Sequence, residues 1–243
     1  ITGEAAAMSW EDQQTTTVVT WRQLVWRRFR RHKMAMFGAI MLILLVGYCF
    51  GGALFVSEEY ANYTDTKLVL QPPSREHPFG TDTVGRDILA RTIYGGQVSI
   101  LIGLSAAIIE VVAGVLIGAL AGYYGGFLDA ILMRFTEAMF TIPQLFLLLV
   151  MAKFFSGKIP TVQLMGRTFS GSVIVIVAII GLTSWMYLAR IVRADFLSLK
   201  EREFILAART IGTRNLAIIG RHILPNTVAP IIVAATLGVA NAI

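Results

Sequence analysis

Apolar positions in this chain come in long runs without the strict alternation of a half-buried strand or a barrel strand, and that pattern selects helices. Met34 to Val56 carries no charged side chain and exceeds the roughly 20 helical residues that cross a hydrocarbon core of about 30 Å. Four later runs, Val98 to Ala121, Ala130 to Phe154, Val173 to Leu188, and Thr227 onward to the end, predict further spans. The expectation is an all-α, polytopic membrane protein with five visible crossings. A sixth is expected beyond Ile243, because an even number returns both ends to one side. The chain opens on Ile1 rather than Met and stops inside an apolar stretch, which reads as a fragment. A cleaved signal peptide is excluded, since the first run is too long and lies too deep in the chain.

Between and before these runs the pattern changes. Trp21, Leu24, Val25 and Phe29 recur at helical spacing with Arg22, Arg27 and Arg30 elsewhere around the helix, as in a segment lying along a membrane surface; a cationic flank snorkelling to the headgroups is the plainer reading. The domain reading is therefore an N-terminal segment 1–33 with an interfacial helix, a first transmembrane helix 34–56, a loop 57–96, and a core 97–243 that contains a patterned loop at 191–225.

Composition agrees. With 56% hydrophobic and 15% charged residues and a mean hydropathy of +0.68, the chain has too little polar residue content to cover a soluble domain of this length. The net charge of +6 does not indicate nucleic acid, because the basic residues sit beside the apolar runs instead of alternating with stacking aromatics. Their distribution sets orientation. Arg22, Arg27, Arg28, Arg30, Arg31 and Lys33 precede the first span and place the N-terminus in the cytoplasm. Arg190, Arg193, Lys200, Arg202, Arg209, Arg214 and Arg221 fall between the fourth and fifth spans, a segment that alternation independently puts inside. The segment 57–96 falls outside and is acidic on balance, while Lys153, Lys158 and Arg167 on a later outer loop run against the rule.

Candidate chemistry is sparse. The sequence has no phosphate-loop motif, no HExxH pair and no GxSxG elbow, and His32, His77 and His222 are far apart. Cys49 is the single cysteine, so no intrachain disulfide forms. His77 with Asp82 and Asp87 supplies metal-ligand types, but Pro78, Gly80 and Gly85 give the simpler account of a turn. Glu110 is the sharpest candidate, a carboxylate midway along the second span. It lines a water-filled translocation path or pairs with a partner subunit. Arg134 and Glu137, one helical turn apart, are expected to form a structural pair, and Pro143 to kink the third span.

The loop from Arg190 to Asn226 is too long for a tight turn. It carries Phe196, Leu197, Leu199, Phe204, Ile205, Ala207 and Ala208, is interrupted at Gly212, and meets Pro225 at the next span, which reads as helix, break, helix. Two readings fit. Ala207 and Ala208 admit the close approach of another protein whose acidic groups Arg209 and Arg214 engage, or the helix rests on the bilayer with its arginines solvated.

Three ordered blocks carry a family resemblance. Glu203-Phe204-Ile205-Leu206-Ala207-Ala208-Arg209-Thr210-Ile211-Gly212, followed by Arg221-His222-Ile223-Leu224-Pro225-Asn226, resembles the EAA loop of ABC importer permeases. His77-Pro78-Phe79-Gly80-Thr81-Asp82, then Gly85-Arg86-Asp87 and Arg91, resembles the block before the second span in their peptide and nickel branch. Gly122-Tyr123-Tyr124-Gly125-Gly126 with Asp129 and Met133-Arg134 is the third. The resemblance, to dipeptide and oligopeptide permeases of the C type within the binding-protein-dependent transport family, covers nearly the whole chain after Trp21.

It implies a permease subunit of an ATP-driven peptide importer in a prokaryotic inner membrane. Such a subunit has no catalytic, metal or cofactor site of its own; its implied partners are a second permease subunit, two cytoplasmic ATPase subunits that bind ATP and Mg, and an extracytoplasmic binding protein. The implied ATPase-coupling residues are Glu203, Ala207, Ala208, Arg209, Gly212 and Pro225. Leu206 stands where the family has the glutamate that opens EAA, so no ion pair of that carboxylate carries over; Arg221 also departs from the broader importer pattern, though not from this branch. The rival classes are an ion-coupled secondary transporter or channel, which needs several intramembrane carboxylates where Glu110 is one, and an intramembrane enzyme, which needs a catalytic pair.

Overall fold

The computed structural model describes residues 20–155, 157–164 and 167–243, and divides the chain into two compact units, one ending at Tyr94 and the other beginning at Gly95. In the first unit, helix α1 (Trp21–Arg31) is followed at His32 by α2 (Lys33–Val46). His32 leaves helical geometry, and its Nδ1 accepts the Ala35 N–H at 3.1 Å, capping α2. α2 runs on as a π turn to Gly51, making one apolar span, Lys33–Gly51. The expected end at Val56 is corrected: turns follow Gly52, where the consecutive glycines Gly51 and Gly52, poor helix formers, interrupt the apolar run before Ala53–Val56. Ser57 then caps the short α3 (Glu58–Asn62) by accepting the Tyr60 N–H.

The next helix, α4 (Ile88–Tyr124), has 37 residues, about 55 Å at 1.5 Å per residue, and overruns any hydrocarbon core. In the second unit it is followed by α5 (Gly126–Phe140), α6 (Gln144–Phe155), a two-stranded antiparallel hairpin of β1 (Val162–Leu164) and β2 (Arg167–Phe169), and α7 (Gly171–Leu199). Then come α8 (Glu203–Thr210), the single turn α9 (Asn215–Ala217) with a π turn to Ile223 and a 3-10 turn Leu224–Asn226, and α10 (Val228–Ala242).

Among the described residues, three helices are long and apolar enough to cross a membrane, Lys33–Gly51, Ile88–Tyr124 and Gly171–Leu199, and up to five spans result if each of two bent pairs counts as one. α5 and α6 meet at 78°, so the kink expected at Pro143 is a full break: Pro143 has no N–H to continue the ladder from α5, and its carbonyl instead starts α6 by accepting from Leu147. The second pair, Asn215–Asn226 with α10, bends by 68° around Pro225.

The fourth span does not end at Leu188. α7 continues to Leu199, so residues 191–199 of the expected loop belong to the membrane helix. Its 29 residues are about 43 Å long, and the excess over a core of about 30 Å is helix projecting beyond the lipid. Arg190 and Arg193 therefore mark where α7 leaves hydrocarbon, not where it unwinds.

α4 and α7 pack through a glycine ladder. Added Cβ atoms at Gly114, Gly118 and Gly122 would lie 2.9, 2.8 and 2.6 Å from the Cβ atoms of Leu188, Val192 and Phe196 respectively. Spaced at i, i+4 and i+8, these glycines form one face on which two backbones approach closely, a standard device for helix association in lipid. The core of the unit gathers on the same end of α7, with Leu188, Val192, Phe196, Ile205, Ala208, Ile218 and Ile223 packed together.

Candidate functional site

Two places in the second unit carry the sequence candidates. The first is the turn region after α7. α8 seats Ile205 and Ala208, both buried, on the cluster around Phe196, and turns Glu203, Phe204, Leu206 and Ala207 to the exposed side. Its end is a Schellman motif: the Gly212 N–H donates to the Arg209 carbonyl at 2.9 Å and the Thr213 N–H to the Ala208 carbonyl at 3.1 Å. Gly212 holds φ +80°, where a Cβ costs about 1–2 kcal/mol, and this is why the helix stops there.

Of the residues implied as ATPase-coupling, Glu203, Ala207 and Arg209 are exposed on α8, while Ala208 faces the chain's own core, so Ala207 and Ala208 do not lie together on one exposed face. Arg209 lies over the Tyr123 ring, 5.4 Å from its centroid, and Tyr123 donates through its hydroxyl to Asn215 Oδ1 at 2.8 Å. Pro225 sits in the 3-10 turn at the bend into α10. Ile211 and Leu216, 83% and 77% exposed, extend an apolar surface beside Ala207 that the sequence reading did not single out. Their apolar character within a basic loop was the available signal.

Beneath this region Asp129 and Arg193 form a bidentate ion pair, Nε to Oδ1 at 2.5 Å and a terminal guanidinium nitrogen to Oδ2 at 2.6 Å. It ties the first turn of α5 to the projecting end of α7. Gly125 and Gly126, at φ +67° and +57°, make the turn that delivers Asp129 there. Arg134 and Glu137 do pair, at 3.3 Å, but both are exposed.

The second place is a cavity of about 480 Å³ bounded by α4, α5, α6, α7 and α10. Glu110, 4% exposed, lies in its wall with Gln144, Thr183, Ser184, Tyr187 and Asn241. Gly238 on α10 makes room for it: a Cβ there would overlap the Glu110 carboxylate. No hydrogen bond or ion pair reaches that carboxylate from the described residues, and no lysine, arginine or histidine lines the cavity. Arg190, one turn beyond Tyr187, is instead held over the Phe140 ring, 4.4 Å from its centroid.

In the first unit, His77 and Asp87 share a hydrogen bond of 2.8 Å between Nδ1 and Oδ2, and Asp87 Oδ1 caps α4 by accepting the Ala90 N–H at 2.8 Å. Asp82 Oδ1 accepts the N–H groups of Val84 and Arg86, both at 2.9 Å. The Arg86 N–H and then the Val84 N–H hold the Asp82 carboxyl below the usual carboxylate range. Both aspartates are thus occupied in building the turn that leads into α4.

Residues 114–243 match the family described as the binding-protein-dependent transport system inner membrane component, and residues 20–73 match the N-terminal transmembrane domain of oligopeptide transport permease C. The chain is similar to the dipeptide transport system permease protein DppC of Bacillus subtilis, 36% identical over 225 residues, covering 93% of this chain and 66% of that protein. It is 35% identical over 216 residues to the oligopeptide transport system permease protein OppC of the same organism, covering 89% and 66%. The dipeptide permease DppC of Alkalihalophilus pseudofirmus is 36% identical over 232 residues, covering 96% and 71%. The chain thus spans about two thirds of the length of these relatives, 66% of each of the Bacillus subtilis proteins.

Proposed function

Because the chain belongs to the family of inner-membrane components of binding-protein-dependent transport systems, we propose that it is the permease subunit of an ATP-driven peptide importer. In this reading it is a multi-pass inner-membrane protein that forms half of a translocation path with a second, homologous permease. Two cytoplasmic ATPase subunits bind ATP and Mg and drive the pair, and an extracytoplasmic binding protein delivers dipeptides or oligopeptides. This chain hydrolyses nothing itself.

The observation that carries the reading is α8: one face of the helix is locked into the core by Ile205 and Ala208, and the other exposes Phe204, Ala207 and Ile211. A helix so anchored moves as one body with α7, so a push on its exposed face reaches the spans without being absorbed in the loop. The small Ala207 side chain at the centre of that face admits a groove of the ATPase, and the peptide class follows from what the similar proteins are named for.

The test is co-purification of the intact complex from its native membrane, followed by a substrate-stimulated ATPase assay on wild type, Ala207→Arg and Gly212→Pro. ATPase subunits that accompany the wild type and are lost, or lose stimulation, in both variants support coupling through α8. Peptide uptake that runs on an ion gradient with no ATPase associated would replace the importer reading with a secondary transporter.

A further inference from the structure

We propose that the cavity around Glu110 is a receptor for a primary ammonium group, and that the group it receives is the free amino terminus of a passing peptide. The inference rests on the peptide-import reading for the identity of the ligand, and on geometry alone for its charge. A carboxylate inside a membrane-spanning bundle is costly and is normally met by a cation or a full set of donors. Glu110 has neither among the described residues, although it is only 4% exposed. Its carboxylate borders a space of about 480 Å³, within the range of about 300–1,000 Å³ typical of small-molecule sites.

The rest of the wall fits a peptide. Gln144, Ser184, Tyr187 and Asn241 offer uncharged donors and acceptors suited to amide groups, and Thr183, whose hydroxyl donates to the Ile179 carbonyl, offers an acceptor. One carboxyl group among neutral hydrogen-bonding groups, which releases its proton when an ammonium group enters beside it, selects for a cation that carries polar, uncharged atoms beyond it. The neighbouring cation of this chain, Arg190, lies over the Phe140 ring and forms no ion pair with Glu110 among the described residues. Gly238 contributes by absence, since any side chain there would fill the space the carboxylate occupies.

The experiment uses the complete transporter in lipid nanodiscs and N,N′-dicyclohexylcarbodiimide, which modifies protonated carboxyl groups in apolar surroundings. Labelling of Glu110 is read by mass spectrometry of its peptide, with Glu110→Gln as the unlabelled control. Alanyl-alanine is expected to protect Glu110, whereas N-acetyl-alanyl-alanine at the same concentration does not. In parallel, alanyl-alanine uptake in Glu110→Gln is expected to fall about tenfold, as loss of one charge-assisted hydrogen bond implies, with Glu110→Asp retaining part of it.

Labelling that is identical with no peptide, the free peptide and the capped peptide overturns the proposal and leaves Glu110 to a partner subunit or to structure. If peptide uptake proceeds in that case, the import reading survives without the receptor. If alanyl-alanine protects Glu110 but the wild-type transporter imports no peptide, the ammonium site stands and the import reading falls. Should Glu110→Gln fail to assemble, the protection measured on wild type still decides.

Discussion

Asp129 and Arg193, 64 positions apart, do more for the second unit than any charge pair that sequence spacing suggests. Their side chains are 15% and 34% exposed, against 54% and 85% for Glu137 and Arg134. Exposed pairs contribute about 0–1 kcal/mol, while breaking a covered pair strands a charge. Asp129→Ala is therefore expected to cost on the order of 2 kcal/mol, seen as a lower Tm of the purified transporter, and Arg193→Lys to share the loss because an ammonium cannot reproduce the fork. A Tm change no larger than that of Glu137→Ala would contradict this. At Asp82 the N–H groups of Arg86 and Val84 depress the carboxyl's pKa, so the folded loop binds a proton less readily than the unfolded chain. Its contribution is present above the ordinary carboxylate range and is lost as pH falls through the depressed value. Amide exchange at Val84 and Arg86, corrected for its intrinsic pH dependence, should accelerate there in wild type and be already fast at neutral pH in Asp82→Ala.

Among the elements, the contact of α4 with α7 depends on having no side chain at three positions. Gly118→Val forces the backbones apart against Val192 and the Ala189 carbonyl, with an expected cost of about 1–3 kcal/mol from overpacking. Reduced yield and Tm would report it, and a variant of wild-type stability would show that the helices tolerate wider spacing. The end of α8 is governed differently, because a Cβ at Gly212 meets nothing within 4 Å. Only backbone strain opposes substitution there, so Gly212→Ala should weaken the helix end by about 1 kcal/mol and Gly212→Asn by less, since Asn tolerates the left-handed region. Equal losses in ATPase stimulation for the two variants would instead point to a contact made by the glycine itself.

For the whole molecule, the basic residues of the N-terminal flank and of the region around α8 predict, for each of them, a cytoplasmic location. Cys49 is the single cysteine and is buried, so a Cys49→Ser background is available for labelling. In membrane vesicles of known orientation, Thr213→Cys should react with an impermeant maleimide only from the cytoplasmic face and Lys67→Cys only from the opposite one. Reaction of both from one face would contradict this topology, and exchange of the two faces would reverse it. Much of this architecture was legible beforehand. The runs within α2, α4, α7 and α10 announce themselves by length and by near absence of charge, Glu110 being the one charged side chain in them, because lipid imposes one requirement along an entire span. The break at Gly212 was legible too, and at Pro143 a disturbance expected as a kink, since each residue acts on its own backbone. The 114, 118, 122 glycine spacing is equally visible in the sequence.

Local chemistry and hydrocarbon thickness thus let the sequence alone determine an all-α membrane chain, its apolar segments and the turns that separate them. What the tertiary structure decided is everything that depends on which faces meet. It extended α7 past its arginines, because a helix can continue beyond lipid when its exit is pinned by Asp129. It turned Ala207 outward and Ala208 inward, although the two are neighbours of the same type. Finally, it enclosed Glu110 with residues from five helices in one cavity, a grouping that no spacing along the chain encodes, because the distance between faces is set by packing and not by sequence separation.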